Sequence, residues 1–211
     1  MSIQTTHMFN KHGPNSWCEG TNMAQTPELR VDDHAVLRPA THGVLVPMFE
    51  AYQEDSGAAQ TALPWLDPND DVRRQLRDML YDIEAQDGTD QLHFWSIHSI
   101  EDDEFIGLVG LGDELQSPLA KFNLGYWVRQ NHRRRAIASR SVDAIFSWLT
   151  QRPNPTMVEI AVHPHNEAGL ATAAAICQRW PGERLSEFIG IEFNGRTVPH
   201  CLHLVELGPV A

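Results

Sequence analysis

A short apolar strand that leads through three arginines into a long amphipathic helix constrains the fold of this chain more than any other stretch. The strand covers residues 122–128, and the segment that opens the helix consists of Arg133, Arg134, Arg135, Ala136, Ile137 and Ala138. The first N–H groups of a helix lack intrahelical partners, and the helix dipole favours an anion there. Because the arginines add positive charge, the stretch predicts a helix N-terminus suited to a diphosphate.

The rest of the chain is acidic and of ordinary globular composition. Its 211 residues are enough to bury a sizeable core as one domain, and 42% of them are hydrophobic. The formal net charge of −12 disfavours a general binder of nucleic acid or of an anionic membrane, because phosphate groups attract positive faces. We therefore expect neither a nucleic-acid partner nor a membrane partner, and the same charge disfavours the arginines as a nucleic-acid site.

The three cysteines, Cys18, Cys177 and Cys201, show neither a disulfide framework nor a C-x-x-C metal motif. They are typical of free thiols in a reducing compartment, so we expect a cytoplasmic protein. Residues 1–22 lack the apolar stretch of a secretory signal, and no apolar run reaches transmembrane length. We expect a flexible or extended tail over residues 1–32 and a single domain over residues 33–211, with Met23 as an alternative natural start.

The hydrophobic pattern predicts elements in the order β-α-α-β-β-β-α-β-α-β-β, which is α/β in class. Helix caps are expected at Thr41, at Asn69 or Asp70, and at Asn166, and Asn194-Gly195 predicts a tight turn between the last two strands. The predicted strands cover residues 36–39, 92–99, 105–111, 122–128, 157–162, 184–193 and 198–207, and the predicted helices cover about 41–53, 70–85, 138–149 and 166–179.

Several local motifs, in this order, carry a family resemblance. They are Val36-Leu37-Arg38-Pro39-Ala40, Leu63-Pro64-Trp65-Leu66, residues 105–111, Leu124-Gly125-Tyr126-Trp127-Val128, the loop 133–138 against the pattern R/Q-x-x-G-x-G/A, and Val162-His163-Pro164-His165-Asn166. Over about residues 33–207 the chain resembles the GCN5-related N-acetyltransferase (GNAT) superfamily, and within it the RimJ/RimL-like ribosomal-protein N-terminal acetyltransferases. The resemblance implies a mixed, mostly antiparallel sheet of six to seven strands with about four helices, splayed between its fourth and fifth strands.

The resemblance also implies acetyl-CoA, or another acyl-CoA, as co-substrate. The pyrophosphate would lie on the loop of Arg133, Arg134, Arg135, Ala136, Ile137 and Ala138. The pantetheine arm would pair with the backbone of the splayed strand at Trp127 and Val128, where an N–H would polarise the thioester carbonyl. Asn166 would contact the pantetheine or an ordered water, a role compatible with capping its helix.

The chain departs from the family pattern within the phosphate loop. Ala136 stands where the loop normally has Gly, and Arg134 stands where a further Gly is common. Glycine permits positive φ and close backbone approach. Alanine at a helix start is expected to keep ordinary helical φ, with phosphate affinity either weaker or partly recovered through the arginine side chains.

The catalytic groups are the part that the sequence leaves most open. The family branch often has Glu on the fourth strand where this chain has Asn123, which cannot take a proton but can position a water. Asp113 and Glu114 are alternative carboxylates, or only an acidic turn. His203 stands where the family usually has a Tyr that protonates the departing thiolate, so it is either the replacement acid or a packed strand residue.

Other candidate residues are histidines and aromatics. His163 and His165 could suggest a metal site with His203, but Pro164 lies between them and no cysteine or carboxylate has matching spacing, so no metal is expected. The aromatic residues that would wall an acceptor pocket are Trp65, Trp95 and Phe94, although core packing is the favoured role for Phe94.

Together these inferences predict an acyl-CoA-dependent N-acyltransferase, with acetyl as the expected group, in which a primary amine attacks the thioester directly in a ternary complex. The expected acceptor is a protein N-terminus, a polyamine, an amino acid or an antibiotic, and a homodimer is one of the expected states because relatives commonly dimerise. The alternative is a non-catalytic acyl-CoA-binding module, since the Glu, Gly and Tyr of the family are each replaced.

Overall fold

An eight-stranded mixed sheet organises the part of the chain that the structure, a computed structural model, describes: residues 23–193 and 196–208. The strands are β1 (Leu29–Arg30), β2 (Ala35–Pro39), β3 (His93–Ser99), β4 (Phe105–Gly112), β5 (Phe122–Val128), β6 (Thr156–Val162), β7 (Gly182–Phe193) and β8 (Arg196–Leu207). The helices are α1 (Leu45–Glu54), α2 (Ser56–Ala62), α3 (Val72–Gln86), α4 (Ile137–Leu149) and α5 (Glu167–Arg179). The strand order is β1-β2-β3-β4-β5-β6-β8-β7.

The sheet opens between β5 and β6, its one parallel pair among the described strands. These two strands pair only at Phe122 with Val158 and at Asn123 with Glu159. Beyond this point β5 stays paired with β4 as far as Val128, and β6 stays paired with β8 as far as Val162. The two halves of the sheet therefore diverge, which confirms the predicted splay.

Helices cover both faces of the sheet, and each face has its own apolar core. On the α4/α5 face, Phe122 packs with helix residues such as Val142 and Ile176. On the α1–α3 face, Trp127 packs with Met48 and Leu76. Successive side chains of a strand point to opposite faces, so neighbouring residues of β5 and β6 serve different cores.

The α/β class and mixed sheet are confirmed, with eight strands and five helices where the sequence predicted six to seven strands and about four helices. The additional elements are β1 and α2. β1 has two residues, too few to show a period. α2 consists of small and polar residues without an apolar stripe, and the carboxylate of Asp55 caps it by accepting from the N–H of Ala58 at 3.1 Å.

The cap of α3 differs from the prediction of Asn69 or Asp70. Asp71 is the cap, and its carboxylate accepts from the N–H of Arg74 at 3.0 Å. Asp70 instead pairs with the Arg74 guanidinium at 2.6 Å. Three consecutive cap-forming residues make the position ambiguous in sequence, and the loop geometry selects the last of them.

The segment before β2, expected as the end of a tail, packs against the domain. Leu29–Arg30 pairs with β2, and Trp95 donates its indole N–H to the carbonyl of Pro27 at 2.6 Å. The hydroxyl of Thr26 lies 3.0 Å from Nδ1 of buried His93.

Residues 1–22 and the predicted turn at Asn194-Gly195 lie outside the described residues. Within the described ranges, no helix is both long enough and apolar enough to cross a bilayer.

Candidate functional site

The start of α4 has an unusual backbone. Ala136, at the N-cap position, lies in the left-handed region with φ 55° and ψ 20°, and Arg134 has φ 61°. The expectation of ordinary helical φ at Ala136 is therefore wrong: the loop keeps a glycine-like conformation although the residue is alanine. Left-handed backbone costs a residue with a side chain about 1–2 kcal/mol. Such conformations at a helix start turn successive N–H groups toward one side and form anion-binding concavities.

The N–H groups of this loop are available to a ligand. No described residue accepts a hydrogen bond from the backbone N–H of residues 134–139, and α4 has no side-chain cap. Arg134 and Arg135 are exposed and form no ion pair within the described part of the chain. An unpaired set of amides, a helix dipole and two free guanidinium groups make one cationic cradle.

Arg133 has a different role from its two neighbours. Its guanidinium donates to the carbonyl of Val128 at 2.8 Å and to Asp55 at 2.6 Å. The hydrogen bond from Arg133 holds the pKa of Asp55 below its usual value. The side chain of Arg133 thus joins the end of β5 to the start of α2.

The backbone of Val128 faces the gap between β5 and β6. Val128 lies opposite Gly107 of β4, and the next N–H, that of Arg129, donates to Ile106 at 2.8 Å. In an antiparallel ladder this pattern makes Val128 a non-hydrogen-bonded partner, so its N–H points away from β4. The open side of β5 therefore presents an N–H of Val128 a few residues before the cationic cradle.

A cavity of about 610 Å³ lies on the α1–α3 face beside the splay. The structure brings to it six residues singled out in the sequence: Trp65, Phe94, Asp113, Glu114, Asn123 and Trp127. Trp95 is not among them, because it is fully buried on the other face. The Phe94 ring covers Gly110, where a Cβ would meet it at 2.2 Å, whereas a Cβ at Gly125 would meet nothing within 4 Å.

The charged groups that line the cavity are acidic. They are Asp78 and Asp82, one turn apart on α3, and Asp113 and Glu114 after β4. Asp78 pairs with Arg77 at 2.9 Å. The other three form no ion pair with a described residue, and no described lysine or arginine is part of the lining. This arrangement favours a cationic ligand.

One charged residue at this site escaped the sequence analysis. Glu159, in the middle of β6, is fully buried, and its carboxylate accepts a hydrogen bond from the side-chain amide of Asn123 at 2.8 Å. The sequence signal that could have identified Glu159 is a single carboxylate within an otherwise apolar strand, since ionised groups are rarely buried without partners.

The two histidines of β8 lie on opposite faces. His203 pairs with Ile160, a residue of the α4/α5 core, so it points away from the cavity. It is 2% exposed, its Nδ1 lies 3.3 Å from the Ile160 carbonyl, and burial lowers its pKa. His200, not His203, is the histidine that lines the cavity, and burial lowers its pKa too.

Asn166 caps α5, with its side-chain oxygen accepting from the N–H of Gly169 at 2.9 Å. The rings of His163 and His165 lie 5.2 Å apart, and those of His163 and His200 lie 5.6 Å apart. No cluster of three or more His, Cys, Asp or Glu residues in the described ranges is arranged to hold a metal ion.

Comparison with known proteins agrees with this geometry. Residues 34–176, more than half of the chain, match the family model described as an acetyltransferase (GNAT) domain. The chain belongs to the GNAT acetyltransferase family. It is thus an N-acetyltransferase by family, and the splayed sheet is the arrangement that the resemblance implied.

Solved GNAT structures share this fold at low sequence identity. The ribosomal L7/L12 α-N-protein acetyltransferase RimL, in complex with coenzyme A, has a TM-score of 0.68 at 15% identity over 84% of this chain and 97% of its own. The microcin C7 self-immunity acetyltransferase MccE, in complex with acetyl-CoA and AMP, has a TM-score of 0.69 at 12% identity over 86% and 97%.

A third similar structure is the ribosomal-protein-S5-alanine acetyltransferase from Vibrio fischeri. It has a TM-score of 0.64 at 14% identity over 86% of this chain and 97% of its own. No curated protein sequence matches this chain significantly.

Proposed function

We propose that this GNAT protein transfers the acetyl group of acetyl-CoA to a primary amine of a cationic acceptor, by direct attack within a ternary complex. The observation that carries the proposal is the alignment of three features: unpaired amides at the start of α4, the opening between β5 and β6, and an acidic cavity on the far side of that opening. RimL and MccE, which share the fold, were solved with coenzyme A and acetyl-CoA respectively.

The cradle fits a diphosphate. The N–H groups of residues 134–139 have no described acceptor, and the left-handed residues Arg134 and Ala136 shape their concavity. Arg134 and Arg135 are free to add charge-assisted hydrogen bonds, whereas Arg133 is engaged inside the protein. Arg134, Arg135 and the amides of Ile137 and Ala138 therefore remain our proposed contacts.

The opening fits a pantetheine arm and places a donor at its inner end. The unpaired edge of β5 can accept an extended chain as an added strand. The Val128 N–H would donate to the thioester carbonyl and stabilise the negative oxygen that forms when the amine attacks. Holding both substrates at this point contributes to catalysis, because proximity replaces a bimolecular encounter.

The acceptor is proposed to enter from the cavity. Its apolar floor and its carboxylates, Asp82, Asp113 and Glu114, suit an amine that carries further positive charge or an alkyl stem. An ammonium group must lose a proton before it attacks, and Asp113 and Glu114, both exposed, can pass that proton to solvent. Asn123 can position a water or the amine itself.

The proton for the departing thiolate has no assigned donor. His203 stays a prediction for this role, but its geometry is unfavourable. A neutral imidazole that donates through Nδ1 to the Ile160 carbonyl carries no proton on Nε2, and burial disfavours the imidazolium that would carry one. Water at the exposed mouth of the cavity is the alternative donor.

The proposal is tested by thiol release from acetyl-CoA with a panel of amines, paired with calorimetry of CoA binding. The panel contains spermidine, an aminoglycoside, free lysine and peptides that begin with Ser or Ala. We expect CoA to bind and thiol to be released with at least one cationic amine. Binding without release on every acceptor would support the non-catalytic module instead.

A matched pair of variants tests the cradle. Ala138→Glu places bulk and negative charge at the start of α4, and Ser147→Glu places the same side chain at an exposed position near its end. We expect CoA affinity to be lost in the first variant and kept in the second. Equal affinity in both would remove the cradle from the proposal.

A further inference from the structure

The carboxylate of Glu159 is fully buried and has three hydrogen-bond donors. It accepts from the backbone N–H groups of Gln116 and Ser117, each at 2.7 Å, and from Nδ2 of Asn123 at 2.8 Å. No described arginine, lysine or histidine forms an ion pair with it. A buried carboxylate without a counter-ion is tolerated when several donors replace its water, so these three bonds are what holds the charge.

Glu159 lies where the sheet begins to open. It pairs with Asn123 at the last β5–β6 pair before the splay, and both point to the α1–α3 face. Ala161, two residues further along β6 on the same face, lines the cavity, as do Gln116 and Asn123. Two of the three residues that donate to Glu159 are therefore wall residues of the proposed acceptor cavity.

The Glu159 carboxylate also fixes which way the Asn123 amide points. A carboxylate can only accept hydrogen bonds, so Asn123 must present its NH₂ group to Glu159. Its carbonyl oxygen, Oδ1, is left without a partner among the described residues. Asn123 thus offers the cavity a hydrogen-bond acceptor, which suits an amine.

We propose that Glu159 is a positioning residue of the acceptor site. It holds the loop of residues 113–117 against the sheet and turns Oδ1 of Asn123 toward the incoming amine. The inference rests on the proposed function for the identity of the acceptor as an amine, while the positioning itself is a property of the unliganded protein. Glu159 acts through Asn123 and the loop and does not touch the substrate.

Hydrogen exchange measured by NMR on the full chain tests the positioning without any substrate. Gln116 is an exposed loop residue, and the exchange of such an amide is fast unless a hydrogen bond protects it. In the unmodified protein we expect the Gln116 and Ser117 amides to exchange about 100-fold more slowly than unbonded loop amides. Exchange at the rate of an unbonded loop would overturn the proposal, whatever the enzyme's activity.

Glu159→Gln is the direct variant, because it removes charge with little change of shape. We expect protection of at least one of the two loop amides to be lost. We also expect kcat/KM for the most active amine of the panel to fall about tenfold or more, while CoA affinity stays within about twofold. Glu183→Gln, at an exposed position on β7, is the matched control and should change neither quantity.

Asn123→Ala separates the two parts of the proposal and covers the case in which Glu159→Gln does not fold. The backbone donors remain, so amide protection at Gln116 and Ser117 should be kept while the KM for the amine rises. A parallel loss of CoA affinity and amine turnover in both variants would show a general structural role and refute positioning. If no amine is turned over by the unmodified protein, the proposed function fails, and hydrogen exchange still decides the role of Glu159.

Discussion

Replacing Ala136 by Gly is expected to stabilise this protein, although such a change inside a helix would weaken it. Ala136 has φ 55° and ψ 20°, which costs a residue with a Cβ about 1–2 kcal/mol and glycine almost nothing. Glycine also gives the unfolded chain more freedom, which costs about 0.4–1 kcal/mol. The difference is a net gain of about 1 kcal/mol in the free energy of unfolding, or about 2–4 °C in Tm for a domain of this size.

Urea unfolding followed by tryptophan fluorescence, together with calorimetric melting, measures this change. Ala138→Gly is the matched control, because residue 138 lies inside α4 and should lose about 1 kcal/mol on the same substitution. Arg134→Gly, at φ 61°, should also relieve strain but remove one free guanidinium, so it should weaken CoA binding where Ala136→Gly leaves it equal or tighter.

The reasoning depends on the sign of the difference between the two alanines. Equal destabilisation by Ala136→Gly and Ala138→Gly would mean that residue 136 is an ordinary helical position in solution. A stabilised Ala136→Gly protein with much weaker CoA binding would mean that the alanine methyl group, rather than the amides beneath it, contacts the ligand.

Three further predictions concern the cavity, the histidines and pH. Gly125→Leu should lower amine turnover about tenfold or more with CoA affinity and stability nearly unchanged, because a Cβ at residue 125 points into open space. An unchanged kcat/KM for the amine would exclude the cavity as the acceptor site. His203→Ala should leave the pH profile of kcat unaltered, whereas His200→Ala should change the KM for the amine, both measured by thiol release. Loss of kcat in His203→Ala alone would restore His203 as the general acid. Burial lowers the pKa of His93 below 6.5, so the unfolded chain binds protons more readily than the folded protein, and the free energy of unfolding should fall as pH drops below about 6.5. In a His93→Gln variant, urea titrations at several pH values should show a weaker dependence of this free energy on pH.

Strand and helix positions were readable from the sequence because their apolar residues recur with periods of two and of three to four. β5 and β6 are examples, and the splay between them followed from the family resemblance. β1 and α2 were not predicted, since the first is too short to have a period and the second has no apolar face. The left-handed φ of Ala136 was missed because alanine ordinarily avoids that region, and the loop imposes it.

The candidate site was harder to predict because its contacts are distant in sequence. Glu159 meets Asn123 across 36 residues and Gln116 across 43, and no spacing rule joins such positions. The choice between His203 and His200 depends on the register of β8, where neighbouring residues face opposite cores. Sequence alone placed both histidines on one strand but could not say which of them meets the cavity.

The bond between Arg133 and Asp55 ties the two substrate sites together. Arg133 donates to the carbonyl of Val128, at the end of β5, which borders the proposed thioester channel. Asp55 caps α2, and this helix leads to the Ala62–Trp65 side of the amine chamber. If filling the channel changes the affinity of the chamber for its ligand, filling the chamber changes the affinity of the channel by the same factor, because linkage between two binding sites is reciprocal. One guanidinium–carboxylate contact thus connects the elements that border the two proposed substrate sites.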